Sequence, residues 1–229
     1  MRRDILGAYV HNALHPLQTY RRMIHYVLLA QQFDDIFVKG AYYWLYERIK
    51  PGTTLVDIGA NIADSTLYFA MHPNVDRVLA FEPNPGTYGI ARELVGKSPF
   101  RDKIVLKNQA VGAGNGKIVV DAEYAGDRMF SLKEKGGGKG STYEIETVML
   151  NDIISGRRNI VIKSDCEGSE YRIFSDAADL SDVYAIMLEY HSGIQKLGKV
   201  LIGKGFRVRT EETSRGVGFL YAWKGRRSG

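Results

Sequence analysis

One cysteine, Cys166, in 229 residues excludes an internal disulfide framework and any Cys-x-x-Cys zinc pair, and makes an intracellular, cytoplasmic protein the expectation. Long apolar runs are missing as well, and none approaches the roughly 20 residues of a membrane-spanning helix. The opening MRRDILGAYVHNALHP interrupts its short apolar patch with Asp4, His11, Asn12 and His15, so no secretory signal is expected. Basic charge is not patterned either. Lys and Arg number 31 against 26 Asp and Glu, and much of the excess sits in the terminal MRR and KGRRSG. With no stripe of basic and aromatic residues, a nucleic-acid partner is not expected. What remains is 45% hydrophobic and 25% charged, enough to build one full-sized core. No internal repeat is present, and nothing in the chain specifies an oligomeric state.

Apolar residues at Leu17, Tyr20, Ile24, Val27 and Leu28 recur at helical spacing after Pro16, and GAYYWLYERIK carries a second helical patch that ends at Pro51-Gly52. Residues 1–50 are therefore expected to form a helical extension or cap, and 51–229 the main domain. From Thr53 the texture alternates. TTLVDIG, DRVLAFEP, KIVLKNQAV, NIVIKSD and VYAIMLEYH read as strands, and NIADSTLYFAMH, NPGTYGIARELVG, SEYRIFSDAADL and GIQKLGKVLIGKG as helices. Asn84, Pro85 and Gly96 suit the cap, first position and stop of the second of these helices. GKIVVDAEY follows the turn GAGNG as a further strand, and ETVMLNDII holds a short strand end and a helical turn. FRVRTEE and GFLYAWKG close the chain as a hairpin. This order predicts a doubly wound α/β sheet, mostly parallel, with one antiparallel strand near an edge. The Gly-rich, basic KEKGGGKGS, 133–141, lacks the preceding strand and following helix of a phosphate-binding loop and reads as a mobile loop or lid.

In such a sheet, ligands bind beyond the carboxyl ends of the strands. Here those ends are polar in succession: Asp57 through Asn61, then Glu82-Pro83-Asn84, Asn108-Gln109, Asp165-Cys166-Glu167 and Glu189-Tyr190-His191. Glu82 stands 25 residues after Asp57, where a carboxylate can accept both ribose hydroxyls of an adenosine. The first turn distinguishes the adenosine ligands. A dinucleotide pyrophosphate needs several glycines and is repelled by a carboxylate, yet LVDIGANIADST offers only Gly59 beside Asp57. S-adenosylmethionine has no phosphate and carries positive charge, so it suits this turn, and a nicotinamide-dependent dehydrogenase does not.

The series VDIGANIADST, VLAFEPNP, IVLKNQAVGAGNGKIVV, IETVMLNDII, NIVIKSDCEGSEYRIF and IMLEYH, spanning roughly Leu55 to His191, resembles the FkbM-type S-adenosylmethionine-dependent methyltransferases. FEPNP followed by Lys163, Asp165, Glu167, Gly168 and Glu170 in a K-x-D-x-E-G-x-E pattern is its most specific part. The resemblance implies a seven-stranded Rossmann-like methyltransferase sheet and S-adenosylmethionine as cofactor. It implies that Asp57, Gly59 and Asn61 line the methionine end, and that Glu82, with Pro83 and Asn84, holds the ribose. Asn108, Gln109 and Ala110 would flank the adenine, and Asp165 would lie beside the methyl group. Ala63 replaces a glycine usual after GANI, a change expected only to tighten helix packing. Ser164 and Cys166 replace aliphatic residues around Asp165, which alters the pocket wall and leaves the carboxylate in place.

Transfer of a methyl group to a hydroxyl needs a base, and Asp165, Glu189 and His191 are the candidates. Helix capping accounts for His191 about as well, and Glu167 and Glu170 fall where a helix starts, so the helix dipole explains them, with Glu170 otherwise facing solvent. Strand alternation turns Cys166 away from Asp165, as a structural thiol. Tyr42, Tyr43 and Trp44 could wall an acceptor pocket, though packing is the plainer role. Asp165, Glu167 and His191 could bind a divalent ion, but their spacing does not demand one and no metal is expected. The implied activity is O-methylation of a sugar, glycan or secondary metabolite. The alternatives are N-methylation of a small molecule or protein, and a non-catalytic S-adenosylmethionine-binding module.

Overall fold

The computed structural model describes residues 36, 40–112, 114–121, 142–166, 168–177, 179–191 and 194–225. The helix expected after Pro16 and the Gly-rich loop 133–141 lie outside them. The chain divides into two compact units, Met1–Ala41 and Tyr42–Gly229, and the second holds the sheet.

Each strand at the centre of that sheet is apolar on both faces, which is what a parallel sheet covered by helices requires. β1 (Thr53–Ile58) pairs in parallel with β2 (Val75–Phe81) on one side and with β7 (Ile160–Ser164) on the other. β3 (Ile104–Lys107) extends the sheet beyond β2, and β8 (Val183–Tyr190) lies parallel to β7. β10 (Val217–Trp223) runs antiparallel to β8, and β9 (Arg207–Ser214) closes the edge against β10. The resulting order is β3-β2-β1-β7-β8-β10-β9, the doubly wound sheet that the sequence predicts, with β10 as its one reversed strand.

Strand alternation sorts the core into two layers. Val56, Ile58, Ile160, Ile162, Ile186 and Leu188 face one side, under α5 (Glu170–Asp176) and α6 (Ile194–Gly203), with Ile173, Phe174, Leu197 and Leu201. Leu55, Val161, Ala185 and Met187 face the other, under α1 (Tyr43–Tyr46) and α2 (Asp64–Ala70), with Leu45 and Phe69. Trp44 packs tilted against Tyr221 at 4.9 Å and edge-on against Trp223 at 5.9 Å, and Tyr42 lies 5.8 Å from Phe69. Packing on the sheet therefore takes up Tyr42 and Trp44, and Tyr43 is left exposed.

Three expectations about the middle of the chain need correction. KIVLKNQAV is not one strand, because after β3 the Asn108 side-chain amide donates to the carbonyls of Glu82 and Pro83 at 2.8 and 2.9 Å and turns the chain out of line. The continuation, β4 (Ala110–Gly112), enters a separate three-stranded sheet of order β4-β6-β5. GKIVVDAEY supplies β5 (Gly116–Asp121) of that small sheet, and its central strand β6 (Thr142–Met149) is eight residues long before α4 (Leu150–Ile154), where only a short strand end is expected. The helix α3 (Pro85–Lys97) is capped as expected, Asn84 Oδ1 accepting from the amides of Gly86 and Thr87. It runs past Gly96 and ends where Ser98 turns extended.

The turn that leaves β1 tolerates no side chain at its glycine. Gly59, φ +74°, follows β1 so closely under the chain leaving β7 that a Cβ would sit 1.8 Å from the Asp165 carbonyl oxygen. Gly59→Ala should therefore cost about 3 kcal/mol or more, from strain and collision together. Urea unfolding measures it, and a loss below about 1 kcal/mol would show that the crossing yields.

Candidate active site

The strand order reverses between β1 and β7, so the crevice of this sheet opens where their carboxyl ends diverge. The β1 turn is tied to both neighbours. The amides of Gly59 and Ala60 donate to the Phe81 carbonyl at the end of β2, and the Asp165 amide donates to Ile58. Within the turn Asn61 (φ +51°) and Ala63 (φ +70°) are left-handed. An alanine at that φ costs on the order of 1 kcal/mol, so Ala63 strains the backbone, where tighter packing of α2 is the only effect expected.

Beneath the turn lies a buried ion pair. Asp57 and Lys163 are register partners on adjacent strands and point into the same layer. Both are out of contact with water, at 0% and 3% exposure. Asp57 Oδ2 accepts the hydroxyls of Ser65 and Thr66 at 2.8 and 2.6 Å. Its Oδ1 lies 3.1 Å from Lys163 Nζ, an ion pair rather than an aligned hydrogen bond. Lys163 Nζ donates to the Gly59 carbonyl at 2.8 Å, so one ammonium joins the carboxylate to the turn above it. Burial alone would lower the pKa of this ammonium. The surrounding Asp57, Tyr42, Asp165 and Asp64 outweigh burial and hold it well above the ordinary range.

The neighbouring carboxylate is arranged differently. Glu82 Oε2 accepts the Asn61 amide and Oε1 the Asn84 amide, each at 2.8 Å. Burial pushes its carboxyl up to about 7, against the opposing effect of those two amides. The Asn108 amide braces the loop from the far side. Asn84 Nδ2 is buried and has no hydrogen-bond partner among the described residues. Gln109 is half-buried: its Nε2 donates to Glu146 Oε2 at 3.0 Å, while its Oε1 is buried with no hydrogen-bond partner among the described residues, and Ala110 packs with Ile145 in the small sheet. Tyr143 of β6 feels the Glu82 charge, and with burial first its phenol is pushed up to about 12.

A third group forms beyond β7 and β8. Asp165 is half-buried on the face of Lys163, while Cys166 packs against the opposite layer, as alternation predicts. Burial, then the Glu170 charge, holds the Cys166 thiol well above its usual range, so it is no nucleophile. Glu170 does not face solvent. It is 3% exposed, and its Oε1 accepts the amides of Gly168 at 3.1 Å and Cys166 at 3.4 Å and lies 3.6 Å from His191 Nδ1. Glu189 is half-buried opposite Phe219 in the β8–β10 register. Glu167 lies outside the described residues, and no cluster of metal-ligating residues is present among those described.

The structure thus joins Asn61, Glu82, Pro83, Asn84 and Asn108 by hydrogen bonds into one rim, with Gly59 tied in through the Phe81 carbonyl and Asp57 below. Sequence reasoning left Lys163 without a role and set Glu170 outside. A lysine inside IVIKS, a strand buried along its whole length, is a signal for a buried partner. Tyr143 carries no such signal, since only the small sheet brings it to Glu82.

A seven-stranded sheet of this order is the fold of the Rossmann-like methyltransferases. A family model for the methyltransferase FkbM domain matches residues 57–209, and the chain belongs to that family, an S-adenosylmethionine-dependent methyltransferase. Among solved structures the fold is shared with methyltransferase FkbM from Methylobacillus flagellatus KT, at 16% identity over 80% of this chain and 51% of that one, TM-score 0.50. It is shared also with an O-methyltransferase family protein from Burkholderia thailandensis, at 10% identity over 86% and 56%, TM-score 0.50. This chain therefore spans about half the length of either protein. No protein of curated function matches it in sequence. Among the described residues no helix is long and apolar enough to cross a membrane.

Two outcomes follow from the buried charges. Lys163→Met leaves the Asp57 charge buried without its cation and should cost about 3–5 kcal/mol in urea unfolding. Adding Asp57→Asn should recover at least 1 kcal/mol, and strictly additive losses would show that the two do not interact. Glu82 binds its proton more tightly folded (about 7) than free (4.5), so the stability it contributes is full below pH 4.5 and is lost as pH rises through 7. Between pH 5 and 8 the wild type should lose on the order of 2–3 kcal/mol relative to Glu82→Gln. Paired thermal melts across that range read this directly, and a difference independent of pH would contradict it.

Proposed function

We propose that the chain O-methylates a hydroxyl of a sugar, glycan or secondary metabolite, and that the rim described above holds the donor. The residues fit the nucleoside end of S-adenosylmethionine. Each Glu82 oxygen accepts one backbone amide and keeps lone-pair capacity for one further donor, which matches the two hydroxyls of a ribose. The unpartnered Asn84 Nδ2 adds a buried donor beside it. Pro83 and Asn108 shape the loop, and Gln109 and Ala110 lie on the adenine side. Gly59 and Asn61 form the wall at the methionine end. Asp57 supports that wall from below, its charge balanced by Lys163.

When bound, S-adenosylmethionine supplies an electrophilic methyl group on a cationic sulfur. The acceptor oxygen must shed its proton as it attacks, and the protein's task is to orient that oxygen and take the proton. The observation that carries the hydroxyl reading is the imidazole of His191 placed against a buried carboxylate at the crevice end of β8. Nδ1 stands 3.6 Å from Glu170 Oε1, and Nε2 is the nitrogen we assign to receive the proton. Asp165 and Glu189 shape the same mouth and are the other candidate bases.

Thermal melts with S-adenosylhomocysteine and with NAD test the donor, and only the former should raise Tm. The acceptor is tested by incubating the protein with methyl-labelled S-adenosylmethionine and panels of methyl hexosides, amines and RNA. Label recovered as a methyl ether supports the reading. Label on nitrogen makes the chain an N-methyltransferase, and donor binding without transfer to any panel supports a binding module.

A further inference from the structure

Glu170 is the buried group that the donor rim does not use, and its surroundings are specific. A single oxygen, Oε1, receives the amides of Cys166 and Gly168, which belong to the loop carrying Asp165, and faces His191 Nδ1 at 3.6 Å across the gap to the end of β8. The carboxylate is 3% exposed, while the imidazole keeps 24% of its side chain open. Helix-dipole stabilisation, the role expected from its place at the start of α5, does not require a buried position or contacts to another strand.

Building on the reading of His191 as the base, we propose that Glu170 is its positioning residue, holding the proton of the neutral imidazole on Nδ1 and the Asp165 loop in register with it. At 3.6 Å the pair is a charge contact, longer than a hydrogen bond, and an acceptor-only carboxylate that close to Nδ1 favours the tautomer with hydrogen on that nitrogen. Nε2 then carries the lone pair. As the acceptor O–H bond breaks, its proton passes to Nε2 and its electron pair forms the new O–CH3 bond. The sulfur–methyl bond breaks with its pair left on sulfur, and positive charge moves from sulfur to the imidazolium, beside the Glu170 carboxylate. Glu170 touches neither acceptor nor donor and acts only through His191 and the loop.

The variants separate this role from a merely structural one. Glu170→Gln retains an oxygen to accept the two loop amides and removes the charge that faces Nδ1. Long-range nitrogen–proton NMR of the ring nitrogens resolves the tautomer, and His191→Asn identifies the His191 signals among the five histidines. In Glu170→Gln the His191 ring should shift away from the Nδ1–H form, with S-adenosylhomocysteine affinity kept within threefold. Turnover of any methyl hexoside accepted by the wild type should fall at least tenfold in kcat with little change in the KM of the donor. Glu170→Asp retains the charge, should keep the wild-type tautomer in part, and serves if the Gln variant does not fold. Unchanged ring signals in Glu170→Gln overturn the proposal whatever the activity does. A shifted ring with unchanged kcat supports the hold on the imidazole and overturns instead the assignment of His191 as base.

Discussion

The site rests on one buried ammonium. A charged residue in the middle of a parallel sheet is costly unless an opposite charge meets it there, and Lys163 on β7 meets Asp57 on the adjacent strand in direct register. The same ammonium donates to the Gly59 carbonyl, and so fixes the turn that leaves β1 to the strand on the far side of the crevice. Because Gly59 also passes within van der Waals range of the Asp165 backbone, the turn has little freedom in any direction. The two walls of the crevice are therefore one mechanical unit, set before any ligand arrives.

That arrangement changes what each carboxylate can do. Asp57 is neutralised from within the protein and keeps its charge for structure. Burial lifts the Glu82 carboxyl to about 7, and each of its oxygens accepts one backbone amide and keeps capacity for a further donor. Glu170 ties two loops together from beneath. The acids of the rim thus fall into buried supports and partly open groups, and the residue types alone do not tell them apart.

The strand and helix order was legible because the apolar runs of β1, β2, β7 and β8 and the capping signals at Asn84 and Pro85 all agree with one sheet. What was not legible depended on side chains reaching across strands. Asn108 diverts the chain by bonding to residues 25 and 26 positions earlier, and without that contact KIVLKNQAV has the periodicity of a single strand. Asp57 reads as a ligand-facing acid until Lys163, more than a hundred residues later, is placed beside it. Glu170 reads as a solvent-facing helix-start acid because nothing in its own segment shows that β8 delivers His191 to it. Glu82-Pro83-Asn84, Asp165-Cys166 and Glu189-Tyr190-His191 do lie at the carboxyl ends of parallel strands, because strand direction alone puts them on one edge of the sheet.

A crystal structure with S-adenosylhomocysteine bound should show both ribose hydroxyls on the two Glu82 oxygens, the Asp57–Lys163 pair unmoved, and no ligand atom within hydrogen-bond distance of Asp57. A ligand amine seated on Asp57 with Lys163 displaced would contradict that arrangement.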